Sequence, residues 1–272
     1  MTLLNTKPDI EAPTNPVNFD AVPQAGAVRF DNVVFHYPSR PETAAIANLN
    51  LQIAPGEVLA LVGPSGAGKT TLMNCMTGLL KFKQGSIQLL GHEIAHHKKS
   101  VNKLFGFVPQ DFSFYQELSP VENLAFFGAW SGLQKKEIKD KTTELLEVMG
   151  LTDVRNKKVE EFSGGMKRRV NLAIGVIHTP RILFLDEPTV GVDVHTRHAI
   201  INYLKKLSDD GTTLIYTSHQ LSEAEDLCNK VALIDDGKII AHDTLNQLLI
   251  DHKEDGLEGL FINLTGKSYR NS

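Results

Sequence analysis

The stretch Gly63-Pro64-Ser65-Gly66-Ala67-Gly68-Lys69-Thr70-Thr71 matches G-x-x-x-x-G-K-[ST] through Gly63, Gly68, Lys69 and Thr70. That spacing suits phosphate chemistry. The glycines let backbone N–H groups face an anion, and a helix beginning there adds the positive end of its dipole. Lys69 adds a full charge, and the Thr70 hydroxyl can ligate Mg²⁺. Residues 63–71 are therefore expected to hold a nucleoside triphosphate, ATP or GTP.

Farther along, the apolar run of residues 182–185 ends in Asp186 and Glu187. Neighbours on an extended segment point to opposite sides, so two roles are expected: Asp186 reaches the Mg²⁺ shell beside Thr70, and Glu187 polarises the water that attacks the γ-phosphate. His219 closes the run "TLIYTSH" and is expected to hydrogen-bond the same phosphate. Ser163, Gly164 and Gly165 stand directly before the helical pattern "MKRRVNLAIGVI", which makes a second seat for an anion. Capping of that helix is the competing use of Ser163.

These groups need a sheet to position them. The runs "VRFDNVVFHY", "ANLNLQI", "VLALVG", "FGFVPQ", "RILFLDE", "TTLIYTS" and "VALIDDG" are short and apolar, with Pro55-Gly56 turning the chain before the third. The later ones alternate with helical stretches, which predicts a mostly parallel sheet flanked by helices. Between about residues 112 and 162 the pattern is helical alone. Ser119 is expected as an N-cap with Pro120 at the first helical position and Glu122 closing a capping box. Ile138, Leu145, Leu146 and Met149 recur at helical spacing. Residues 1–26, with Pro8, Pro13, Pro16 and Pro23 among polar neighbours, read as a flexible arm.

Composition narrows the function classes. A formal charge of −4 argues against a dedicated nucleic-acid binder, and 42% hydrophobic residues suffice for a core. Cys75 and Cys228 are too few for a disulfide framework and read as reduced and packed. No apolar run reaches the roughly 18 residues of a membrane span, so a cytoplasmic chain is expected. His92, His96 and His97 fall in the lysine-rich "GHEIAHHKKS" and read as a solvated loop; His195 and His198 read as a solvated helix face. Phe112, Phe114 and Tyr115 form an aromatic cluster that serves either the core of the helical lobe or a docking surface.

The phosphate loop, "FVPQD" with Gln110, "FSGGM", "LFLDEP", "VGVD" with Asp193 and "SH" with His219 occur in the order found in the ATP-binding subunits of ABC transporters. The resemblance covers about residues 28–242. It implies an α/β P-loop NTPase with a mostly parallel core sheet, an antiparallel β subdomain and an inserted helical lobe at about 112–162. Residues 27–242 would form the ATPase domain, and 243–272 a C-terminal helical extension. It implies ATP hydrolysis with Mg²⁺ held by Thr70, Gln110 and Asp186, in a head-to-tail dimer in which Ser163, Gly164 and Gly165 of one subunit close over nucleotide on the other. The subunit would sit at the inner face of the cell membrane on integral permease subunits. Phe162 and Met166 replace the leucine and glutamine usual in the signature, a variation that resembles exporters of drugs, lipids or polysaccharides whose ATPase is a separate chain. The stretch "GAVRFDNVVFHYPSRPE" instead resembles the ATPase end of fused exporters, with Tyr37 placed to stack on adenine; filling a strand face is the alternative for that ring. A soluble member of the family acting as a clamp in DNA repair or translation is the second functional reading. It commonly carries two modules or a long coiled coil, and this chain shows neither. A GTPase would require an N-K-x-D motif, which is absent.

Overall fold

The computed structural model of the chain describes residues 27–95, 101–218 and 220–266. The expected arm over 1–26, His96, His97 and His219 lie outside the described residues.

Alternate side chains of a strand point to opposite faces, and a sheet covered on both faces therefore needs apolar residues throughout. Strand β3 (Val58–Val62) is buried along its whole length. Its Val58, Ala60 and Val62 enter one core, while Leu59 and Leu61 enter the other. The same division holds in β7 (Ile182–Asp186), where Leu183 and Leu185 face the first core and Ile182 and Phe184 the second. With β6 (Phe105–Val108), β8 (Thr213–Ser218), β9 (Lys230–Asp235) and β10 (Lys238–Thr244), these strands form a six-stranded sheet in the order β10-β9-β3-β8-β7-β6. All neighbours are parallel except β10, which pairs antiparallel with β9.

A second sheet is antiparallel, in the order β2-β1-β4-β5: β1 is Val28–His36, β2 Ala44–Ile53, β4 Gln84–Leu89 and β5 His92–Glu93. It covers the second core together with α1 (Lys69–Met76), which supplies buried Leu72, Met73, Cys75 and Met76. His92 therefore belongs to a strand edge. The solvated-loop expectation is corrected there: the neighbouring Glu93 carboxylate accepts from the Ile87 N–H at 3.3 Å, which draws the segment onto β4. His195 and His198 are exposed, as expected. Cys75 and Cys228 are both free and buried, and burial pushes the Cys75 thiol up to about 12.

Between β6 and β7 the described elements are α2 (Pro120–Trp130), α3 (Lys135–Val148), two short 3-10 turns and α4 (Gly164–Val176). Ser119 caps α2 with the full capping box: its hydroxyl accepts from the Glu122 N–H at 3.3 Å, and the Glu122 carboxylate accepts from the Ser119 N–H at 2.8 Å. These bonds hold the Glu122 carboxyl below its ordinary range. Ile138, Leu145, Leu146 and Met149 are buried, as their spacing requires. After β7 come α5 (Val194–Asp209) and α6 (Leu221–Leu227). After β10 come α7 (Leu245–His252) and α8 (Leu257–Thr265); β10 runs through Thr244, so the helical tail begins two residues later than expected. No described helix is long and apolar enough to cross a membrane.

Candidate nucleotide site

Parallel register brings the site together. Val62 pairs with Ser218, Asp186 with Thr217 and Val108 with Leu185, so β3, β8, β7 and β6 end at one edge of the sheet. The loops leaving these carboxyl ends share one crevice, which is where open α/β sheets bind ligands.

The loop after β3 is tightly held. A Cβ on Gly63 would stand 2.2 Å from the Ile234 carbonyl oxygen, so only glycine lets the loop leave the sheet at that point. Gly68 has φ +107° at the N-cap of α1, a conformation that L side chains rarely adopt. Lys69 begins the helix and folds its ammonium back to donate to the carbonyls of Gly63 at 2.6 Å and Pro64 at 3.0 Å. Burial lowers its pKa, while the charges of Glu187 and Asp186 raise it. Phosphate oxygens would replace those neutral partners with charge-assisted bonds.

Asp186 ends β7 with only 2% of its surface exposed. Its Oδ1 accepts from the Thr217 hydroxyl at 2.6 Å and faces the Thr70 hydroxyl at 3.5 Å. Burial raises its pKa, opposed chiefly by the bonds from Thr217 and Thr70. A desolvated carboxylate beside a hydroxyl is a hard oxygen pair that a small divalent cation would stabilise, so these residues fit Mg²⁺. The amide oxygen of Gln110 would be a further ligand.

Glu187 is aimed by a device other than the expected strand alternation. The strand stops at Asp186, and Glu187 takes φ +50°, which turns its side chain out of the sheet. Its N–H donates to the Thr217 hydroxyl at 3.0 Å, and its Oε2 accepts from Gln110 Nε2 at 3.1 Å. Thr217 therefore orients both acids, a role that sequence reading missed because the residue is one of several polar side chains in its strand.

A cavity of about 750 Å³ lies over these groups. Ser65, Gly66, Gly68, Lys69, Thr70 and Thr71 form one wall, and Gln110 and Glu187 another. Tyr37, one residue beyond β1, also lines it; its hydroxyl is 2.9 Å from that of Thr71 and its ring meets Phe35 edge-on at 5.0 Å. The ring stands at the cavity wall, outside the strand proper. Gly63, Pro64 and Ala67 shape the loop from behind without lining the cavity. Arg40 and the turn Asp236-Gly237 also line it and were missed. The Asp-Gly pair between two apolar runs is a hairpin signal, yet nothing local announces that this turn reaches the loop through Gly237 N–H to Ala67 O at 2.9 Å.

Ser163, Gly164, Gly165 and Asp193 do not line this cavity. Ser163 caps α4, accepting from the Met166 N–H at 3.3 Å, and both Ser163 and Gly164 are exposed. Gly165 is buried, packed so closely that a Cβ there would come within 3.2 Å of the Thr196 hydroxyl and 3.4 Å of the Asp193 carboxylate. Asp193 caps α5, accepting from the Thr196 N–H at 2.9 Å and its hydroxyl at 2.7 Å; these bonds hold its carboxyl below the ordinary range. Phe162 is buried in the first core, and Met166 packs on the same core. A buried network that was also missed joins the segment after Glu187 to α6. The Glu223 carboxylate accepts from Thr189 Oγ1 at 2.6 Å, bonds the Tyr216 hydroxyl and meets Arg197 Nε at 3.0 Å.

The aromatic cluster divides between the core and the surface. Phe114 packs against the core, whereas Phe112 and Tyr115 are exposed. Tyr115 continues into Phe126, at 5.0 Å between centroids, and Phe126 stacks on Trp130, which is 82% exposed.

Residues 46–190 match the family model described as ABC transporter. The chain belongs to the ABC transporter family. It is 39% identical over 203 residues to the linearmycin resistance ATP-binding protein LnrL of Bacillus subtilis, covering 75% of this chain and 65% of that protein. It is 37% identical over 204 residues to the Nod factor export ATP-binding protein I of Cupriavidus metallidurans, covering 75% and 67%. A solved dimeric structure of a post-hydrolysis state of an ATP-binding cassette bound to ADP and Pi superposes with a TM-score of 0.74 at 28% identity, covering 80% of this chain and 98% of that one. The fold is accordingly that of an ABC ATPase cassette, with parallel core, antiparallel sheet and helical lobe.

Proposed function

We propose that this ABC transporter chain hydrolyses ATP as one half of a head-to-tail dimer and drives export through separate permease subunits at the inner face of the membrane. One observation carries the reading: Lys69, Thr70, Gln110 and Glu187 line a single cavity, while the exposed donors at Ser163 and Gly164 lie outside its lining. Each chain thus has one phosphate-holding half and one anion-seeking helix start. A second copy in opposite orientation brings the halves together.

The residues divide the work. Tyr37 offers a flat face to adenine, and the N–H groups of residues 65–71 with Lys69 take the phosphates. Mg²⁺ bound by Thr70, Asp186 and Gln110 would supply charge neutralisation on the phosphates. Glu187 accepts the proton of the attacking water, held in place by Gln110 and Thr217. Ser163 and the N–H groups of Gly164 and Gly165 stabilise the partner's γ-phosphate, and His219 and Asp193 are assigned to the same closed site. Phe112, Tyr115, Phe126 and Trp130 offer the permease an apolar landing surface on the lobe. The names of the relatives, which speak of resistance and export, support the direction of transport.

The test is to isolate the chain from its native membranes in mild detergent. The expected result is co-purification with an integral membrane protein and ATPase activity abolished by Lys69→Ala. Co-purification with nucleic acid or ribosomes in place of a membrane protein would overturn the transport reading.

A further inference from the structure

Helix α4 carries more than the exposed Ser163 at its start. One turn inside it, Arg168 is 5% exposed and reaches back across the base of the lobe. Its guanidinium donates to the Gln110 carbonyl at 2.8 Å and the Pro109 carbonyl at 3.3 Å, and lies 4.9 Å from the centroid of the Phe112 ring. Asn171, the next residue on that face, donates its amide to the Pro109 carbonyl at 3.1 Å. The following side chain, Arg169, donates to the Met149 carbonyl at 2.7 Å, at the end of α3. Consecutive residues of one helix therefore grip the 109–112 loop on one side and the lobe on the other.

A buried guanidinium that lost these carbonyls would be left desolvated and short of acceptors, and the carbonyls would lose their donors. The loop and α4 must consequently shift together. The same loop carries Gln110, whose amide contacts Glu187 at 3.1 Å. A continuous chain of contacts thus runs from the acid at the chain's own phosphate site, through Gln110 and Arg168, to the helix that begins at Ser163.

We propose that Arg168 is the positioning residue that makes occupancy of a chain's own nucleotide site set the placement of its Ser163–Gly165 helix start, so that filling one site prepares the half-site offered to the partner. The assignment rests on the head-to-tail reading. Arg168 does not line the nucleotide cavity. Asn171 supports the same loop, and the Phe112 ring lies against the guanidinium.

The experiment uses the Glu187→Gln chain, which is expected to retain ATP and accumulate as a closed dimer. ATP affinity is measured at a protein concentration where the chain is monomeric, and dimerisation by light scattering at saturating ATP. Adding R168M is expected to leave ATP affinity within about twofold while raising the dimer dissociation constant about tenfold or more, the scale of one lost charge-assisted bond pair. R168K, which keeps a donor and the charge but not the fork, is expected to recover part of that loss and serves as the comparison if R168M does not fold. Dimerisation equal to the parent in R168M, or in R168K where that is the folded variant, overturns the assignment. So does an equal loss of ATP affinity and dimerisation, which would mark Arg168 as a support of the fold alone. A Glu187→Gln parent that stays monomeric at saturating ATP overturns the head-to-tail reading itself, and this assignment with it.

Discussion

Glu187 shows how a single residue's backbone can decide its chemistry. A glutamate at φ +50° sits where L residues rarely go, at a cost of about 1–2 kcal/mol, and the Thr217 hydroxyl bonded to its N–H helps to hold it there. The turn sends Asp186 toward Thr70 and Glu187 into the cavity. Glu187→Gln keeps the size and the contact with Gln110 but removes the base, so ATP binding should persist while steady-state turnover falls at least about tenfold to a hundredfold. Unimpaired turnover in a hydrolysis assay would remove Glu187 from that role. The identities of the two acids were readable from the sequence; the turn between them was not, because it depends on a threonine from the neighbouring strand. Two histidines make a second residue-scale prediction. His178 and His242 both have pKa values lowered from 6.5, chiefly by burial, so the unfolded chain binds more protons than the native one just below neutrality. Their contribution to stability is therefore complete above about pH 6.5 and is lost as pH falls below it. Urea unfolding at pH 7.5 and 5.5 should show a smaller acid loss in a His178→Asn, His242→Asn variant than in the native chain.

At the scale of elements, the helical lobe was the most readable region. Ser119, Pro120 and Glu122 specify a helix start by local hydrogen bonding alone, and the buried set Ile138, Leu145, Leu146 and Met149 follows from one amphipathic period. Ser119→Ala should cost about 1 kcal/mol of stability, read from chemical denaturation, with the ATP affinity unchanged. The loop from β6 into the lobe is where element and function meet. Gln110→Ala removes the contact to Glu187 and should lower transport more than basal hydrolysis in a reconstituted complex; equal losses would contradict its linking role. Strand β10 and its turn at Asp236-Gly237 were harder to read, since "KIIAHDT" is mixed in polarity and its partners are set by β9 and by the phosphate loop. The grips of Arg168 on the 109–112 loop and of Glu223 on Thr189 were invisible for the same reason: each joins elements more than 30 residues apart.

For the whole molecule, two cores lie back to back on the sheet that carries the site. Strands β3, β7 and β9 each feed both cores, so the sheet edge carrying the phosphate loop and Asp186 is fixed by packing from above and below. At the start of α4, by contrast, Ser163 and Gly164 are exposed and do not line that cavity. Mixing two inactive variants tests that arrangement most directly. Ser163→Ala retains Glu187, and Glu187→Gln retains Ser163, so a head-to-tail pair of the two contains one intact site. Single-turnover ATP hydrolysis should be absent or weak in each variant alone and return on mixing, toward the level of one site per dimer. Mixtures no more active than the separate proteins would contradict the account, because they would place both residues in the service of the same chain's nucleotide.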